Sequence, residues 1–408
     1  METTFSVLIA PLQKFFEQQA SQIDKVSDSR KLKFTQFTRI ILYSFMVQKL
    51  SLRKISNHLK ISDTPQNLGL SYVPWTTLRD GFTRFSQSYF FELYRFILKN
   101  TQLLKVKALD EIGLISLVDG SLFPTIISMD WAEYKKTKNA IRLHLEFSLN
   151  QMIPLEFNGL IGNSSERHFL EKIVQQGVTY IADRGYFSFN LANVLAKANA
   201  FFILRIKNNM KFELGKILVV SGNIPNCLDE ITDELIRFTN DPHKRVFRLI
   251  RFRVIGSEFQ IVTNRLDLTT VEIVMLYGYR WQIELLFKFI KRCLMGIHLL
   301  NHSKNGVNIQ FCCLMILSVL YLNTQQFCKV AVAHTHTNVK NQENLQVTSN
   351  SKLEDFNNFD CFGPEKWINS INKAFEVYWK ISSYWLENLK DLIDKPFDYQ
   401  VIKILAVS

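Results

Sequence analysis

AIRLHLEFSL, residues 140–149, alternates without interruption. Ile141, Leu143, Leu145, Phe147 and Leu149 fall on one side of an extended chain, and Arg142, His144, Glu146 and Ser148 on the other. A period of two fits no face of a helix, so this stretch commits the middle of the chain to a β-sheet. Its neighbours enlarge that sheet. IGLISLVDGS, from residue 112, is an apolar run closing on Asp119, and IPLEFNGLIG, from 153, reads as a third strand. The period then alternates. SERHFLEKIVQQG reads as a helix ended by Gly177, VTYIAD as a strand closing on Asp183, SFNLANVLAKANA as a helix and FFILRIK as a strand. Three antiparallel-type strands followed by alternating helix and strand specify a mixed α/β sheet.

Both flanks of this region are helical in pattern. FTQFTRIILYSFMVQKL gives an amphipathic helix, and SLRKISNHLKI a second with Ser51 as N-cap. A further helix starts at Pro74 and carries Arg79 and Arg84 on its polar side. Short helices with a turn between them and basic residues on the last resemble a helix-turn-helix, a pattern that many small helical domains share. Charge points the same way. The chain carries a net +12, and residues 1–100 hold 14 Lys/Arg against 7 Asp/Glu. A basic excess gathered at one end suits a polyanionic partner such as DNA. The expected division is a helical DNA-binding domain over 1–105, a catalytic α/β domain over 106–325 and a helical C-terminal region over 326–408.

Residues 207–270 break the α/β alternation with a β-rich insertion. KRVFRLIRFRVIGSEFQIVTN reads as a hairpin turning at Gly256-Ser257. Its first strand carries Lys244, Arg245, Arg248, Arg251 and Arg253 interleaved with Phe247 and Phe252. This alternation suits a nucleic-acid surface, with Arg248 and Arg251 as candidate contacts. It equally suits an edge strand protected by charge. Near the C-terminus, FCCLMILSVLYL at 311–322 is too short to span a membrane and reads as a buried helix. Residues 335–355 read as a polar loop, in which His336 has no partner at ligand spacing; the same holds for His334 just before it.

Several chemistries are excluded. The six cysteines form no CxxC and no zinc-ligand spacing, which suits a reducing, cytoplasmic compartment. The N-terminal residues lack the basic region of a signal peptide. GxSxG, HExxH and P-loop motifs are absent. What stands out is a set of carboxylates. Asp119 and Asp183 each end an apolar strand, where sites of α/β folds gather. Glu284 stands in YGYRWQIELLFKFIK, on one helical stripe with Tyr277, Arg280, Lys288 and Lys291. Taken singly, each aspartate reads as a turn or cap residue, and the helix as a solvated face with a Glu284–Lys288 pair. Taken together, three acids beside basic groups suit hard divalent cations and phosphodiester chemistry.

Tyr277, Arg280, Glu284 and Lys291 fit Y-x2-R-x3-E-x6-K. With VDGS at Asp119 and ADRGYF at Asp183, the chain resembles one large branch of the DDE transposases of bacterial insertion sequences. The aspartates lie 64 residues apart, and the 101 residues from Asp183 to Glu284 are similar to that branch's β-rich insertion. The resemblance covers about residues 30–330, and the four-residue signature is its most specific part. It implies an RNase H-like core, Mg²⁺ (with Mn²⁺ as substitute) and cut-and-paste transposition. The implied partner is double-stranded DNA, both element ends and target, engaged by a homodimer in the synaptic complex. By the same carry-over Asp119, Asp183 and Glu284 are the catalytic metal ligands, while Tyr277, Arg280 and Lys291 contact DNA near the scissile phosphate. Some members hold a flipped base on an insertion-domain tryptophan. None of the six tryptophans here lies in 207–270, so Phe247 or Phe252 would have to stack instead. Two rivals remain: a transposase-derived repressor that binds DNA without catalysis, and an RNase H-like nuclease that cuts without joining.

Overall fold

The computed structural model describes residues 2–28, 31–49, 51–101, 106, 109–126, 129–135, 138–224, 228–254, 256–294, 296–343 and 383–407. The N-terminal helices are α1 (Thr4–Phe15), α2 (Ser21–Val26), α3 (Phe34–Met46), α4 (Leu52–Ile61), α5 (Asp63–Asn67), α6 (Trp75–Arg84) and α7 (Gln87–Asn100). Ser51 caps α4 as expected, its hydroxyl accepting from the Lys54 N–H at 3.2 Å. The helix expected from Pro74 carries Arg79 and Arg84 and ends at Arg84. Phe85 turns extended into the core at 0% exposure, and the Ser86 hydroxyl caps a new helix by accepting from the Ser88 N–H. Helix α6 lies close on α3, because a Cβ at Gly81 would stand 2.7 Å from the Phe37 ring.

The sheet contains β1 (Leu114–Pro124), β2 (Glu133–Lys135), β3 (Lys138–Ser148), β4 (Ile153–Ile161), β5 (Val178–Ala182) and β6 (Phe201–Arg205). Helix α8 (Glu166–Ile173) precedes β5, and α9 (Phe189–Lys197) precedes β6. Strands β4, β3 and β1 pair antiparallel, and β1, β5 and β6 pair parallel, an RNase H-like arrangement. The insertion adds β7 (Phe212–Ile217), β8 (Leu228–Phe238), β9 (Val246–Val254) and β10 (Ser257–Thr263), and β10 docks antiparallel on β6. One mixed sheet therefore runs through core and insertion. Ser257 is already paired with Val254, so the hairpin turns before it, with Gly256 at φ 75°, and not at Gly256-Ser257.

Both faces of the sheet are covered. Helices α8 and α9 lie on one face, and the polar side of β3 is buried beneath them rather than solvated. His144 stacks on Phe169 and shares a 2.8 Å hydrogen bond with Ser164, while Ser116 donates to Glu146 at 2.8 Å. On the other face lie α10 (Thr270–Gly278), α11 (Trp281–Lys288) and the long α12 (Lys304–Glu343), followed by α13 (Ser383–Leu392) and α14 (Tyr399–Val407). Lys304–Lys329 of α12 is long and apolar enough to cross a membrane, yet 94% of its most apolar window is buried inside the protein. The helix also continues through Glu343, so residues 335–343 are helical where a loop is expected, and His334 and His336 fall on that helix. The rest of that expected loop, with Cys227 and Cys361, lies outside the described residues. A smaller apolar core lies under α8 and α9, and the larger one runs from Phe5 through Phe123 and Phe311 to Leu405. The N-terminal helices belong to it: Tyr94 of α7 donates to the Pro154 carbonyl, and Asn305 of α12 donates to the Phe82 and Phe85 carbonyls.

Candidate active site

Pairing decides where the first aspartate stands. Strand β1 does not close on Asp119 but runs on to Pro124, because β3 continues opposite it. The parallel pairing with β5, however, ends at Leu117–Ile181. Asp119 therefore sits where the sheet opens on its β5 side, and Asp183 follows directly after β5. Along β1, Val118 packs into the core under α8 and α9, so Asp119 and Ser121 face the opposite side, toward α11.

The signature segment arrives there as two helices, not one. A capping box at Thr269 and Glu272 starts α10, which ends at Gly278, and Arg280 stands before α11. A π-helical turn, Phe289–Cys293, follows. This wide turn re-aims Lys291, whose Nζ donates to Ser121 Oγ at 2.7 Å and lies 4.8 Å from the Phe123 ring centre. Lys288, nominally on the same stripe, is exposed to solvent. The Tyr277 hydroxyl donates to Asp183 Oδ1 at 3.3 Å. Arg280 Nη2 lies 2.9 Å from Glu284 Oε1, and its Nη1 3.7 Å from Asp119 Oδ2. Arg280 thus bridges Asp119 and Glu284, with Tyr277 on Asp183 and Lys291 on Ser121, two residues along β1 from Asp119.

Sequence reasoning missed Arg205. It ends β6 level with the end of β5, since Ala182 is paired with Leu204, and its guanidinium lies 3.8 Å from Asp183. The available signal was two adjacent parallel-type strands closing on opposite charges, ADRG and LRIK.

The electrostatics are those of crowded acids. Burial pushes the Asp119 carboxyl up to about 6, and the Glu284 and Asp183 charges add to the rise. The Gly120 N–H and Arg280 oppose it. Burial also lowers the Lys291 ammonium pKa. Three carboxylates from three elements, with repulsion that a cation would relieve, fit a hard divalent ion in donor chemistry. As placed, with Arg280 between Asp119 and Glu284, no three acid, imidazole or thiol groups among the described residues form a ready-made cage.

The basic strand of the insertion is different from its expected reading. Arg248 is buried, bonded to Asp233 at 2.6 Å and to the carbonyls of Arg265 and Leu268, so it offers no charge to a polyanion. Arg251 pairs with Glu234 and Arg253 with Glu230, both across on β8. Phe247 and Phe252 are buried at 3% and 4% exposure, and neither is a free stacking platform. An exposed aromatic near the site is Trp281, at 56%, which edges an apolar cavity of about 290 Å³ with Phe252, Phe259 and Tyr277. In the N-terminal region Arg79 is exposed and Arg84 partly buried. Arg79 and Arg53 lie 5.6 Å and 4.8 Å from the ring centre of Trp75.

Residues 112–320, which include all three acids, match the family described as Transposase DDE domain. A Sinorhizobium fredii protein named as a transposase, y4zB, is 27% identical over 51% of this chain and 60% of its own length. A Geobacillus stearothermophilus protein named as transposase for insertion sequence element IS5377 is 23% identical over 50% of this chain and 56% of its own. A Synechocystis protein named as transposase for the element IS4SA is 31% identical over 38% and 43%. The chain thus spans little more than half the length of the first two relatives and less than half of the third.

Proposed function

The chain belongs to the Transposase DDE domain family, and on that footing we propose that it binds the ends of a mobile element and catalyses divalent-cation-dependent cleavage and strand transfer of DNA. The observation that carries this reading is the convergence of Asp119, Asp183 and Glu284 with Tyr277, Arg280 and Lys291, drawn from β1, the end of β5, α10, α11 and the π-helical turn. Asp119, Asp183 and Glu284 would hold Mg²⁺, or Mn²⁺ in its place. When bound there, such an ion supplies a Lewis acid for the phosphodiester and lowers the pKa of the attacking hydroxyl. The chain's own groups do the rest. Tyr277 and Arg205 both approach Asp183 Oδ1 and steady that carboxylate. Arg280 orients Glu284 and offers guanidinium donors to a phosphate. Lys291, steadied on Ser121, places a positive charge where negative charge gathers during displacement.

DNA carrying the inverted repeats that flank the coding region, incubated with protein and Mg²⁺, is expected to yield broken ends and, with target DNA, joined products. Binding without cleavage would return the repressor reading, and cleavage without joining the nuclease reading.

Arg280→Ala and Lys291→Ala are each expected to slow cleavage by roughly tenfold to a hundredfold, the usual scale for losing one charge-stabilising group. Lys288→Ala, at an exposed site outside the signature, should cut at nearly the wild-type rate. Single-turnover assays decide; equal rates for Lys288→Ala and Lys291→Ala would strip the signature of its role.

Arg79, and Arg84 beside it, are the proposed end-binding contacts of the N-terminal helices. Because those helices share the main core, point variants test this better than truncation. Arg79→Ala should weaken DNA binding and reduce the slope of log K against log[salt] by about 1. An unchanged slope would move the contact elsewhere. A homodimer holding two ends is part of the same proposal, and sedimentation of the end complex checks it.

A further inference from the structure

Tyr186 takes no part in the mechanism above, yet it lies behind both aspartates. It closes the turn that follows β5, its N–H donating to the Asp183 carbonyl at 3.0 Å. Its ring packs among Val118, Phe187 and Leu191 in the core under α8 and α9, with 1% of the residue exposed. The hydroxyl is buried and makes no hydrogen bond. A phenylalanine would fill the same space without burying a polar group, and buried tyrosine hydroxyls normally find a partner. Burial pushes the phenol's pKa well up, with the charges of Asp119 and Asp183 adding to it and those of Arg142 and Arg280 opposing. Those four side chains are therefore its charged surroundings.

The cations do not use the hydroxyl. Arg142 is committed to the Gly162 carbonyl and to Glu166. The acids have room for it. Asp119 receives one short bond, from the Gly120 N–H at 2.8 Å, and a looser approach from Arg280 at 3.7 Å. Asp183 receives Tyr277 at 3.3 Å and Arg205 at 3.8 Å. A carboxylate has about four acceptor positions, so both keep open lone pairs.

We propose that Tyr186 is a positioning residue of the carboxylate site: when a divalent cation engages the acids, its hydroxyl donates to an Asp119 or Asp183 oxygen and fixes that carboxylate's orientation. This rests on the function proposed above. Hydrogen bonds of this kind behind a ligand typically change metal affinity by about 10–100-fold.

Tyr186→Phe keeps the ring, so the fold survives the change. Without divalent cation the variant is expected to melt at or above the wild-type temperature, since an unpartnered buried hydroxyl is gone. Mn²⁺ binding, followed by calorimetry, should weaken by about tenfold or more, and kcat for end cleavage should fall similarly with KM for DNA unchanged. Equal Mn²⁺ affinity and equal kcat in the two proteins would overturn the proposal and leave Tyr186 as packing. A clearly lower melting temperature without cation would overturn it too, because the hydroxyl would already have a partner. If the wild-type protein binds Mn²⁺ no better than Asp183→Ala, the metal-site reading itself fails and this inference falls with it.

Discussion

Asp183→Ala is expected to slow strand cleavage by about a thousandfold or more while leaving affinity for DNA ends within roughly twofold. Several kcal/mol of transition-state charge stabilisation come from a correctly held cation, and about 4 kcal/mol is a thousandfold in rate. Asp119→Ala and Glu284→Ala should do the same. The fold should tolerate the loss of Asp183, whose side chain is 36% exposed and whose ion pair with Arg205 is 3.8 Å long. Asp119 carries a further, pH-dependent consequence. Its folded pKa of about 6 lies above its ordinary value of 3.8. Ionised Asp119 therefore opposes folding above about pH 6, and the penalty vanishes as pH falls toward 4. Asp119→Asn should accordingly melt higher than wild type at neutral pH, with the difference closing in acid. Cleavage gels, fluorescence anisotropy on end DNA and thermal melts at several pH values separate these effects. Wild-type-like cutting by any of the three alanine variants would remove that residue from the proposed metal site.

The second large effect concerns Arg248, and it is an effect on stability. The residue is 4% exposed, and its partner Asp233 is 1% exposed. Asp233 also accepts from the Thr270 hydroxyl at 2.7 Å, at the start of α10. Arg248 in turn bonds the carbonyls of Arg265 and Leu268, in the segment leading into that helix. The pair thus ties the insertion to the helix that delivers Tyr277. Removing one member of a buried pair leaves an uncompensated charge, at a cost of about 3–5 kcal/mol. For Arg248→Ala this corresponds to a fall in Tm on the order of 10 °C. If Arg248 served DNA instead, the variant would melt normally and lose salt-dependent affinity. Denaturation curves together with salt titrations of binding distinguish the two outcomes.

Much of the candidate site was legible. The strands ending near Asp119 and Asp183 show in apolar runs, and Glu284 and its neighbours show in spacing, because both signals are local. The burial of Arg248 and the pairing of the partly exposed Arg251 were not legible, for the complementary reason. An arginine on an alternating strand looks the same whether water, a phosphate or an aspartate lies opposite. Only the register of β9 on β8 brings Asp233 and Glu234 to them, 15 and 17 residues away in the chain. The same holds for Phe247, which a strand pattern leaves open and the rings of Phe187 and Phe238 enclose.

The sequence by itself determined the alternation of strands and helices in the middle of the chain, the β-rich insertion and the grouping of the candidate acids, since periodicity and motif spacing depend on residues close in the chain. Tertiary structure alone decided the rest. It covered the polar side of β3, split the signature segment at Gly278, and turned Lys291 onto Ser121 while Lys288 was left in solvent. It also set Tyr186 behind the two aspartates with its hydroxyl unpaired. These outcomes depend on which distant element packs opposite a side chain, and cross-strand register and one π-helical turn settle that where no local pattern can.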